Sequence, residues 1–430
     1  MRRWYKLIVI MTVAGMLLTA CASDPPTADN KAQLEEGSEE GQTLTVINPD
    51  AAGNKPDADS TVNDTKKYQI QTRLTDFQLL GDSTGLAWGT TRSELRLYIT
   101  HDSGKTWTNI SPATSVLFSS NPQYGKDIYF TSPTHGWIIR NFTDTGEAIV
   151  LRTVDGGITW KMASLPKANE VASVFFINEE RGWILTVDSS QSGDVTKTLH
   201  LTNNGGASWI KVMSNPLFPT SPSAATTAPI QTSSISMVFT SEKVGYISAI
   251  EFGQPEFYVT RNGGVSWNKS DQFFDMSKFK NCRAFLAGTP TFFSSNPATG
   301  WIPIGCVRDK EAKYNGYFTS DGGKTWSFTP FDIDWMTETN KGAAPFFLNS
   351  QEGWNISEGT VYHTVNQGKT WSPLPPSSKL RDVMTKLEYS QVVKLQFFSA
   401  KVGWLLVAKG DGKRSLLMQT VDGGESWRVL

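Results

Sequence analysis

The octapeptide TSDGGKTW (Thr319 to Trp326) decides the fold, because the chain contains seven copies of its pattern. The other copies are THDSGKTW (Thr100 to Trp107), TVDGGITW (Thr153 to Trp160), TNNGGASW (Thr202 to Trp209), TRNGGVSW (Thr260 to Trp267), TVNQGKTW (Thr364 to Trp371) and TVDGGESW (Thr420 to Trp427). All follow T-x-[D/N]-x-G-x-[S/T]-W, and successive copies begin 45 to 59 residues apart. A fixed motif at this period predicts a row of repeated supersecondary units.

Each position of the octapeptide has a physical role in a tight hairpin. The acid or amide closes the turn, the glycine accepts a positive φ, and the tryptophan buries a large ring. The pattern resembles the Asp-box, or BNR, hairpin of sialidase-like propellers. The turn-closing residues are Asp102, Asp155, Asn204, Asn262, Asp321, Asn366 and Asp422, and the tryptophans are Trp107, Trp160, Trp209, Trp267, Trp326, Trp371 and Trp427. Because three copies carry Asn, the Asp side chains are expected to be structural and not catalytic.

A second landmark precedes each octapeptide and divides the repeats into strands. It is GLAW at Gly85, GW at Gly136, Gly182, Gly300, Gly353 and Gly403, and GY at Gly245. An apolar run lies before each landmark, and two further strands flank the octapeptide. Four strands in each of seven units predict an all-β, seven-bladed β-propeller of four-stranded antiparallel blades over residues 68–430. The last unit supplies its own fourth strand, so no strand exchange is expected, although residues 67–72 could pair at the seam.

The N-terminus has the architecture of a signal peptide. Three basic residues precede a short apolar run, and LTAC, which ends at Cys21, resembles a bacterial lipobox. We therefore expect residues 1–20 to be a lipoprotein signal peptide, with lipid attached to Cys21 and the protein anchored to the cell membrane outside the cytoplasm. The alternative is an ordinary signal peptide with an incidental cysteine. Residues 21–67 are acidic and poor in apolar residues, which predicts a disordered tether.

Composition and spacing limit the possible ligands. A net charge of −1 provides no basic field for nucleic acid. The four histidines are dispersed without metal-ligand spacing, so neither a metal nor another cofactor is expected. In an exported protein, Cys282 and Cys306 could form a disulfide, although two free buried thiols are the alternative.

The connections between strands predict where a ligand would bind. The short turns and the octapeptides share one face of a propeller, whereas the long variable loops share the other, and such insertions often mark the binding face. Aromatic residues in these loops suit a peptide or a glycan, but they could instead pack back to anchor their own loops. The candidate binding residues are Phe273, Phe274, Asp332, Asp334 and Trp335.

The repeats are similar to those of the photosystem II stability and assembly factor family, as in GWNISEGTVYHTVNQGKTW (Gly353 to Trp371). This resemblance implies a non-catalytic, extracytoplasmic scaffold that binds a polypeptide of an envelope complex and touches the membrane through its lipid only. The acidic tether and long loops depart from the family's compact units, so a photosynthetic partner is not carried over. The alternative is a carbohydrate-active propeller that binds glycans or hydrolyses them like a sialidase or xyloglucanase, with Asp332 and Asp334 as candidate carboxylates.

Overall fold

A computed structural model describes residues 41–47, 67–113, 116–118, 121–142, 147–166, 170–189, 195–216, 235–270, 273–337 and 342–430. Residues Glu40–Leu430 form one compact unit. The predicted signal peptide, the lipidation site Cys21 and most of the predicted tether lie outside the described residues. Within the described ranges, no helix has the length and apolar character needed to cross a membrane.

Seven antiparallel sheets follow one another along the chain and confirm the seven-bladed propeller. Two N-terminal strands, β1 (Thr43–Ile47) and β2 (Lys67–Gln71), precede blade 1, which consists of β3 (Asp76–Leu79), β4 (Gly85–Thr91), β5 (Glu94–Thr100) and β6 (Trp107–Asn109). Blade 2 consists of β7 (Ile128–Phe130), β8 (Gly136–Phe142), β9 (Glu147–Thr153) and β10 (Lys161–Pro166). Blade 3 consists of β11 (Glu170–Phe176), β12 (Gly182–Ser189), β13 (Val195–Thr202) and β14 (Ile210–Pro216).

The remaining blades follow the same plan, except that blade 5 is extended. Blade 4 consists of β15 (Ile235–Phe239), β16 (Gly245–Glu251), β17 (Gln254–Thr260) and β18 (Asn268–Lys269). Blade 5 consists of β19 (Ala284–Ala287), β20 (Thr291–Phe293), β21 (Asn296–Arg308), β22 (Glu311–Thr319), β23 (Ser327–Thr329) and β24 (Met336–Thr337). Blade 6 consists of β25 (Phe346–Phe347), β26 (Gly353–Ser357), β27 (Thr360–Thr364) and β28 (Ser372–Pro373), and blade 7 of β29 (Gln391–Phe397), β30 (Gly403–Ala408), β31 (Ser415–Thr420) and β32 (Arg428–Val429). Helix α1 (Ser378–Arg381) continues into a π-helical turn, Asp382–Lys386, and a 3-10 turn spans Met276–Lys278.

Every octapeptide connects the third and fourth strands of its blade. In blade 5 the Thr319 hydroxyl donates to Asp321 (2.9 Å) and accepts the Gly323 N–H (2.9 Å), while Asp321 accepts the N–H (3.0 Å) and the hydroxyl (2.7 Å) of Thr325. In blade 3, Asn204 reverses the last bond and donates its amide to the Ser208 hydroxyl (2.8 Å). Since Ser and Thr hydroxyls both donate and accept, Asp and Asn are interchangeable here.

The second landmark explains how neighbouring blades pack. Phe176 of β11 stacks on Trp137 of the preceding blade (ring centroids 3.6 Å apart) and meets Trp209 of its own octapeptide edge-on (6.0 Å). The glycine of the landmark is needed because a Cβ on Gly182 would lie 2.3 Å from the Phe176 ring. The same arrangement recurs at the first-strand phenylalanines of blades 4 and 7, Phe239 and Phe397.

The ring closes without strand exchange, as expected, since β32 completes blade 7. The predicted boundary between a disordered tether and a propeller that starts at residue 68 is wrong, because residues 43–47 already form a strand of the propeller. This strand, β1, pairs with β6 and buries Leu44 and Val46 in the core of blade 1. Gln42 then joins this strand to blade 7: its side chain accepts the Leu417 N–H (2.6 Å) and donates to the Leu430 carbonyl. The N-terminal strands therefore belong to the propeller and bridge its seam.

Candidate functional site

The propeller has two faces, which we name by their connections. The hairpin face carries the octapeptides and the short turns between first and second strands. These lie together: the Gly205 N–H, in the blade 3 octapeptide, donates to the Glu180 carbonyl of the preceding turn (2.7 Å). The loop face carries the connections between second and third strands and those between blades. The sequence placed the candidate binding residues on the loop face.

The aromatic candidates of the loop face pack inward, against strands of blades 4 and 5. Phe273 is buried, with its ring 5.0 Å from Phe257 and 5.2 Å from Tyr317, which removes it from the residues that could contact a ligand. Phe274 is half-buried and packs edge-on against Phe285 (5.1 Å). The physical reason is that a large ring is stabilised by burial, and the core between blades 4 and 5 offers it a place.

The remaining candidates form a charged surface beside blade 5. Trp335 is half-buried, because the Arg308 guanidinium lies over its ring at 3.9 Å from the ring centre. Asp332 and Asp334 are exposed. Burial lowers the pKa of the neighbouring Lys313 amine, and the two carboxylates offset part of that shift. The structure therefore brings Trp335, Asp332 and Asp334 together with basic residues, but separates them from Phe273.

The predicted cysteine pair is bonded, which confirms the disulfide. Cys282 and Cys306 have Cα atoms 5.4 Å apart, and the bond ties the loop before β19 to the extended strand β21. Along this extension β19 pairs with β21, and β24 pairs with β22. The loop face of blade 5 is consequently a covalently clamped sheet and not a free loop.

Sequence reasoning missed a cleft on the hairpin face, between blades 2 and 3. Its volume is about 270 Å³. It is lined by His135, Trp137, Arg152, Thr153, Val154, Glu179, Glu180, Asn204 and Gly205. The floor is fixed by the Trp137 indole, which donates to the Gly205 carbonyl (2.8 Å) and joins the two blades. The hairpin face therefore contains a cleft lined by charged and polar side chains as well as the octapeptides.

The Arg152 guanidinium is the basic group of this cleft that has no side-chain partner among the described residues. Arg152 lies on β9 opposite Lys161 of β10, and within the described part of the chain neither side chain forms a hydrogen bond or ion pair. Of the two carboxylates that line the cleft, that of Glu179 is engaged by the His135 imidazole at 3.0 Å. A half-buried guanidinium without a partner favours an anionic ligand, because charged donors are costly to leave unpaired.

At the equivalent place between blades 3 and 4, an arginine has hydrogen-bond and ion-pair partners within the protein. There the Arg181 guanidinium donates to the Asn203 amide oxygen (2.9 Å), lies 3.5 Å from the Glu242 carboxylate and covers the Trp183 ring. In blade 2 the position of Asn203 is held by Val154, which offers no acceptor side chain. Two adjacent blades thus each place an arginine beside the next blade. The guanidinium in blade 3 has side-chain partners, and the one in blade 2 has none among the described residues.

A signal for Arg152 was present in the sequence. The residue before the threonine of each octapeptide lies on the third strand and is apolar in four copies, but is arginine at position 152. The remaining members of this set are Ile99, Leu201, Val259, Phe318, His363 and Gln419. A basic residue in a strand that otherwise packs against the next blade indicates an opening between blades.

A buried charged cluster lies on the loop face between blades 3 and 4. Lys197 of β13 is fully buried, and burial lowers the pKa of its amine to about 8, while the attraction of Glu251 opposes that shift. The Tyr258 hydroxyl donates to Glu251 at 2.5 Å. Within the ranges that the structure describes, no group of three or more His, Cys, Asp or Glu side chains is placed to hold a metal ion. The cluster acts as a brace between blades.

Comparisons with known proteins give one partial family match and several distant structural similarities. The family model described as Sortilin-Vps10 (sortilin, neurotensin receptor 3) matches residues 95–217, which is less than half of the chain. No curated protein sequence matches the chain.

Several solved structures are similar to this chain. The GH74 xyloglucanase from Xanthomonas campestris is 16% identical with a TM-score of 0.48, and the match covers 83% of this chain but 54% of the enzyme, so the chain spans about half of its length. The propeller domain of the Trilobed protease from Pyrococcus furiosus is 10% identical with a TM-score of 0.47, over 83% of this chain and 97% of that domain. The α-L-arabinanase from Penicillium chrysogenum, complexed with arabinobiose, is 12% identical with a TM-score of 0.40, and the match covers 90% of this chain and 99% of the arabinanase.

Proposed function

We propose that this chain is a non-catalytic propeller scaffold that binds a protein partner outside the cytoplasm, held at the membrane by a lipid on Cys21. The partner is a polypeptide of an envelope complex, in keeping with the resemblance of the repeats to the photosystem II assembly factor family. The disulfide between Cys282 and Cys306 supports an oxidising location, because such bonds persist mainly in exported proteins.

The observation that carries the proposal is the open Arg152 in the cleft between blades 2 and 3. A guanidinium recognises a carboxylate with two parallel hydrogen bonds, so an acidic side chain of the partner is the expected occupant. Exposed apolar side chains lie nearby on the same blades, at Val154, Ile158 and Met162. Arginine and exposed apolar side chains on one blade are both features that protein interfaces use.

The proposal is tested by capture from a detergent-solubilised membrane fraction on the immobilised full chain. We expect wild-type protein to retain a defined set of proteins, and Arg152→Glu to lose it because the reversed charge repels the partner's carboxylate. Arg181→Gln is the matched control, since Arg181 is already neutralised by Asn203 and Glu242. Retention of envelope polysaccharide with no protein, or equal capture by Arg152→Glu, contradicts the proposal.

A glycan-binding or glycan-hydrolysing propeller is the second candidate function. It is favoured by the polar lining of the same cleft, which contains Glu179 and Glu180 as well as Arg152, His135 and Asn204. Glycoside hydrolysis requires two carboxyl groups on either side of the scissile bond. Against it, the Trp137 ring is buried and offers no stacking platform for a sugar.

This second candidate is tested by incubating the purified chain with arabinan and xyloglucan oligosaccharides and measuring new reducing ends. We expect no hydrolysis by the wild-type chain. Hydrolysis that disappears in both Glu179→Gln and Glu180→Gln would replace the scaffold proposal with an enzyme.

A further inference from the structure

The outer edge of blade 2 is a long, regular strand that no described residue covers. Strand β10 contains six residues and pairs with β9 in an unbroken register, from Lys161 opposite Arg152 to Pro166 opposite Glu147. Among the described residues, β10 is the last strand of its sheet. An uncovered edge presents unpaired N–H and C=O groups to any other extended chain. The outer edge of blade 2 is therefore a template for the addition of a strand.

The outer edges of the other blades are short, covered or irregular. The fourth strands of blades 4, 6 and 7 contain two residues each, and that of blade 5 contains three. In blade 1, β1 pairs with β6, so the chain itself adds a strand to the outer edge of a blade. In blade 3, β14 contains seven residues, but the register shifts between Leu199 and His200, and a bulge of this kind protects an edge from pairing. Among the described strands, β10 is the long and regular outer edge that has no neighbour.

Hydrogen bonds in other blades show which backbone groups of β10 point outward. In blade 1 the N–H of Ile110, the third residue after the octapeptide tryptophan, donates to the Leu97 carbonyl of the third strand (2.9 Å), and the corresponding bond recurs in blades 4, 6 and 7. Ala163 holds this position in blade 2. Because bonding alternates along an antiparallel strand, the N–H and C=O groups of Met162 and Ser164 point away from β9.

The side chains along this edge favour an acidic, extended ligand. Lys161 and Arg152 lie opposite each other on neighbouring strands, and neither side chain has a carboxylate partner among the described residues. Like charges that face each other across two strands are unfavourable, and a carboxylate on an added strand would relieve this repulsion. On the other face of the strand, Met162 is 68% exposed, which suits an apolar neighbour. The edge therefore fits a segment in which acidic and apolar residues alternate.

We propose that β10 receives an extended segment of the protein partner, with alternating acidic and apolar residues, as a fifth strand of blade 2. This inference rests on the scaffold function proposed above and gives the mode of binding beside the Arg152 cleft. Main-chain hydrogen bonds to Met162 and Ser164 supply affinity, and the charges of Lys161 and Arg152 supply specificity. The same edge of a second copy does not fit this description, because KMASLP (Lys161–Pro166) contains no acidic residue.

The test measures, by fluorescence anisotropy, the binding of a labelled peptide of alternating glutamate and valine residues to the full chain. Met162→Pro is expected to weaken binding about 10-fold, because it removes an outward N–H. Blade 6 carries Pro373 at the same position, so the pairing of β10 with β9 should survive the change. Met162→Ala, which keeps the N–H, and Lys211→Pro, at the same position of blade 3, are the controls and should bind like wild type. Equal binding by Met162→Pro and wild type overturns the proposal.

Hydrogen exchange resolved to single amides gives a second readout that needs no variant. The amides of Met162 and Ser164 are expected to exchange rapidly in the free chain and at least about 10-fold more slowly with saturating glutamate–valine peptide. The Ala163 amide, which faces β9, should be slow in both states. Slow exchange at Met162 and Ser164 in the free chain would mean that the edge is already covered, which also overturns the proposal.

Capture from the solubilised membrane fraction separates this inference from the function on which it rests. If Met162→Pro loses the proteins that wild type and Lys211→Pro retain, the partner uses this edge. If Met162→Pro retains them all, the fifth strand is wrong and the scaffold function stands. If wild type captures no protein, the scaffold function fails, whereas peptide binding that Met162→Pro weakens still establishes β10 as a strand acceptor. A wild-type dimer in sedimentation that Met162→Pro abolishes assigns the edge to a second copy and overturns the proposal.

Discussion

The landmark glycines show how much of this fold depends on single residues. Gly182 has no side chain because the Phe176 ring occupies that space, and Phe176 is held there by Trp137 of the preceding blade. Glycine is therefore selected here for close packing and not for backbone freedom, since no positive φ is found at Gly182. In the octapeptides, glycine is needed for backbone freedom instead, since Gly323 has a φ of 74°.

Replacing Gly182 with alanine is expected to destabilise the protein by about 1–3 kcal/mol, because the new methyl group overpacks the interface between blades 2 and 3. The measurement is the free energy of unfolding from a denaturant titration. Gly410→Ala is the control, since a Cβ there meets nothing within 4 Å. Equal stability of Gly182→Ala and wild type would show that the stacked rings do not require the glycine.

Asp321 allows the role of the octapeptide carboxylate to be measured. Burial by itself would raise the pKa of this carboxyl, but hydrogen bonds from Thr325, Thr319 and Lys324 outweigh it and lower the pKa to about 2. At pH 7, Asp321→Asn should be nearly neutral, as Asn204 is in blade 3, whereas Asp321→Ala should cost about 1 kcal/mol.

The same carboxylate predicts a defined pH dependence. Because its pKa is lower in the folded than in the unfolded state, its contribution is complete above about pH 4 and is lost as the pH falls toward 2. The difference in unfolding free energy between wild type and Asp321→Ala should therefore shrink over this range. A difference that stays constant from pH 7 to pH 2 would mean that the hydrogen bonds to the ionised form contribute nothing.

At the scale of elements, the second strand of blades 2, 3, 4 and 6 is joined by a side-chain hydrogen bond to the octapeptide of the next blade. The Trp183 indole of β12 donates to the Gly263 carbonyl (3.0 Å), and Trp354 of β26 donates to Gly423 (2.8 Å). Trp404 of β30 breaks this pattern at the seam, where its indole N–H is buried and finds no acceptor among the described residues. The interface between blades 7 and 1 thus lacks a bond that other interfaces have.

This difference predicts unequal costs for one substitution. Trp183→Phe removes the donor and leaves the buried Gly263 carbonyl unpaired, which adds about 1–3 kcal/mol to the loss of packing. Trp404→Phe loses packing alone and should be the milder change. Denaturant titration of the two variants checks this order, and a larger cost for Trp404→Phe would refute the role of the interblade bond.

Lys197 also links two blades, and the lowered pKa of its amine predicts the direction in which stability changes with pH. The Lys197 amine has a pKa of about 8 in the folded protein, which is below the ordinary value of a lysine. At pH values between these two pKa values, the unfolded chain therefore binds more protons than the folded chain. Stability should therefore rise with pH from about 8 to about 10.5 through this group. Lys197→Met should remove that rise, as measured by the difference between the two proteins in denaturant titrations at each pH.

At the scale of the whole molecule, the ring is held at its seam by contacts from several elements. Lys394 of β29 forms an ion pair with Asp76 of β3 (3.0 Å), and the Gln396 side chain accepts the Leu79 N–H (3.0 Å). Gln42 then connects the N-terminal strand to blade 7. These polar contacts stand in for the strand exchange that closes other rings.

Gln42→Ala is expected to lower the stability of the whole propeller by about 2–3 kcal/mol, since it leaves the Leu417 N–H buried without an acceptor. Thermal unfolding checks this, and the transition should stay cooperative because the blades depend on one another. Gln69→Ala, at an exposed position on β2, is the control and should change little. A Gln42→Ala protein as stable as the control would remove the seam role of this residue.

The repeated features of the molecule could be predicted from the sequence, and the features that occur once could not. The seven octapeptides and the Gly-Trp landmarks predicted blade number, strand order and the disulfide-bearing repeat. Phe273 was assigned to the wrong environment, because the direction of a loop side chain depends on how the loop packs. The strand at residues 43–47 was missed although TLTVI is rich in β-branched residues, since the acidic composition around it outweighed five residues.

The completeness of blade 7 has an evolutionary consequence. In a ring sealed by strand exchange, one blade is divided between the two ends of the gene, and any change in repeat number must preserve that division. Here each blade is encoded by one uninterrupted segment, because β32 follows β31 within the same repeat. Segments can therefore be duplicated or lost without leaving a half-blade. A ring with a different number of blades would still need to form the seam contacts that Gln42 makes with Leu417 and Leu430.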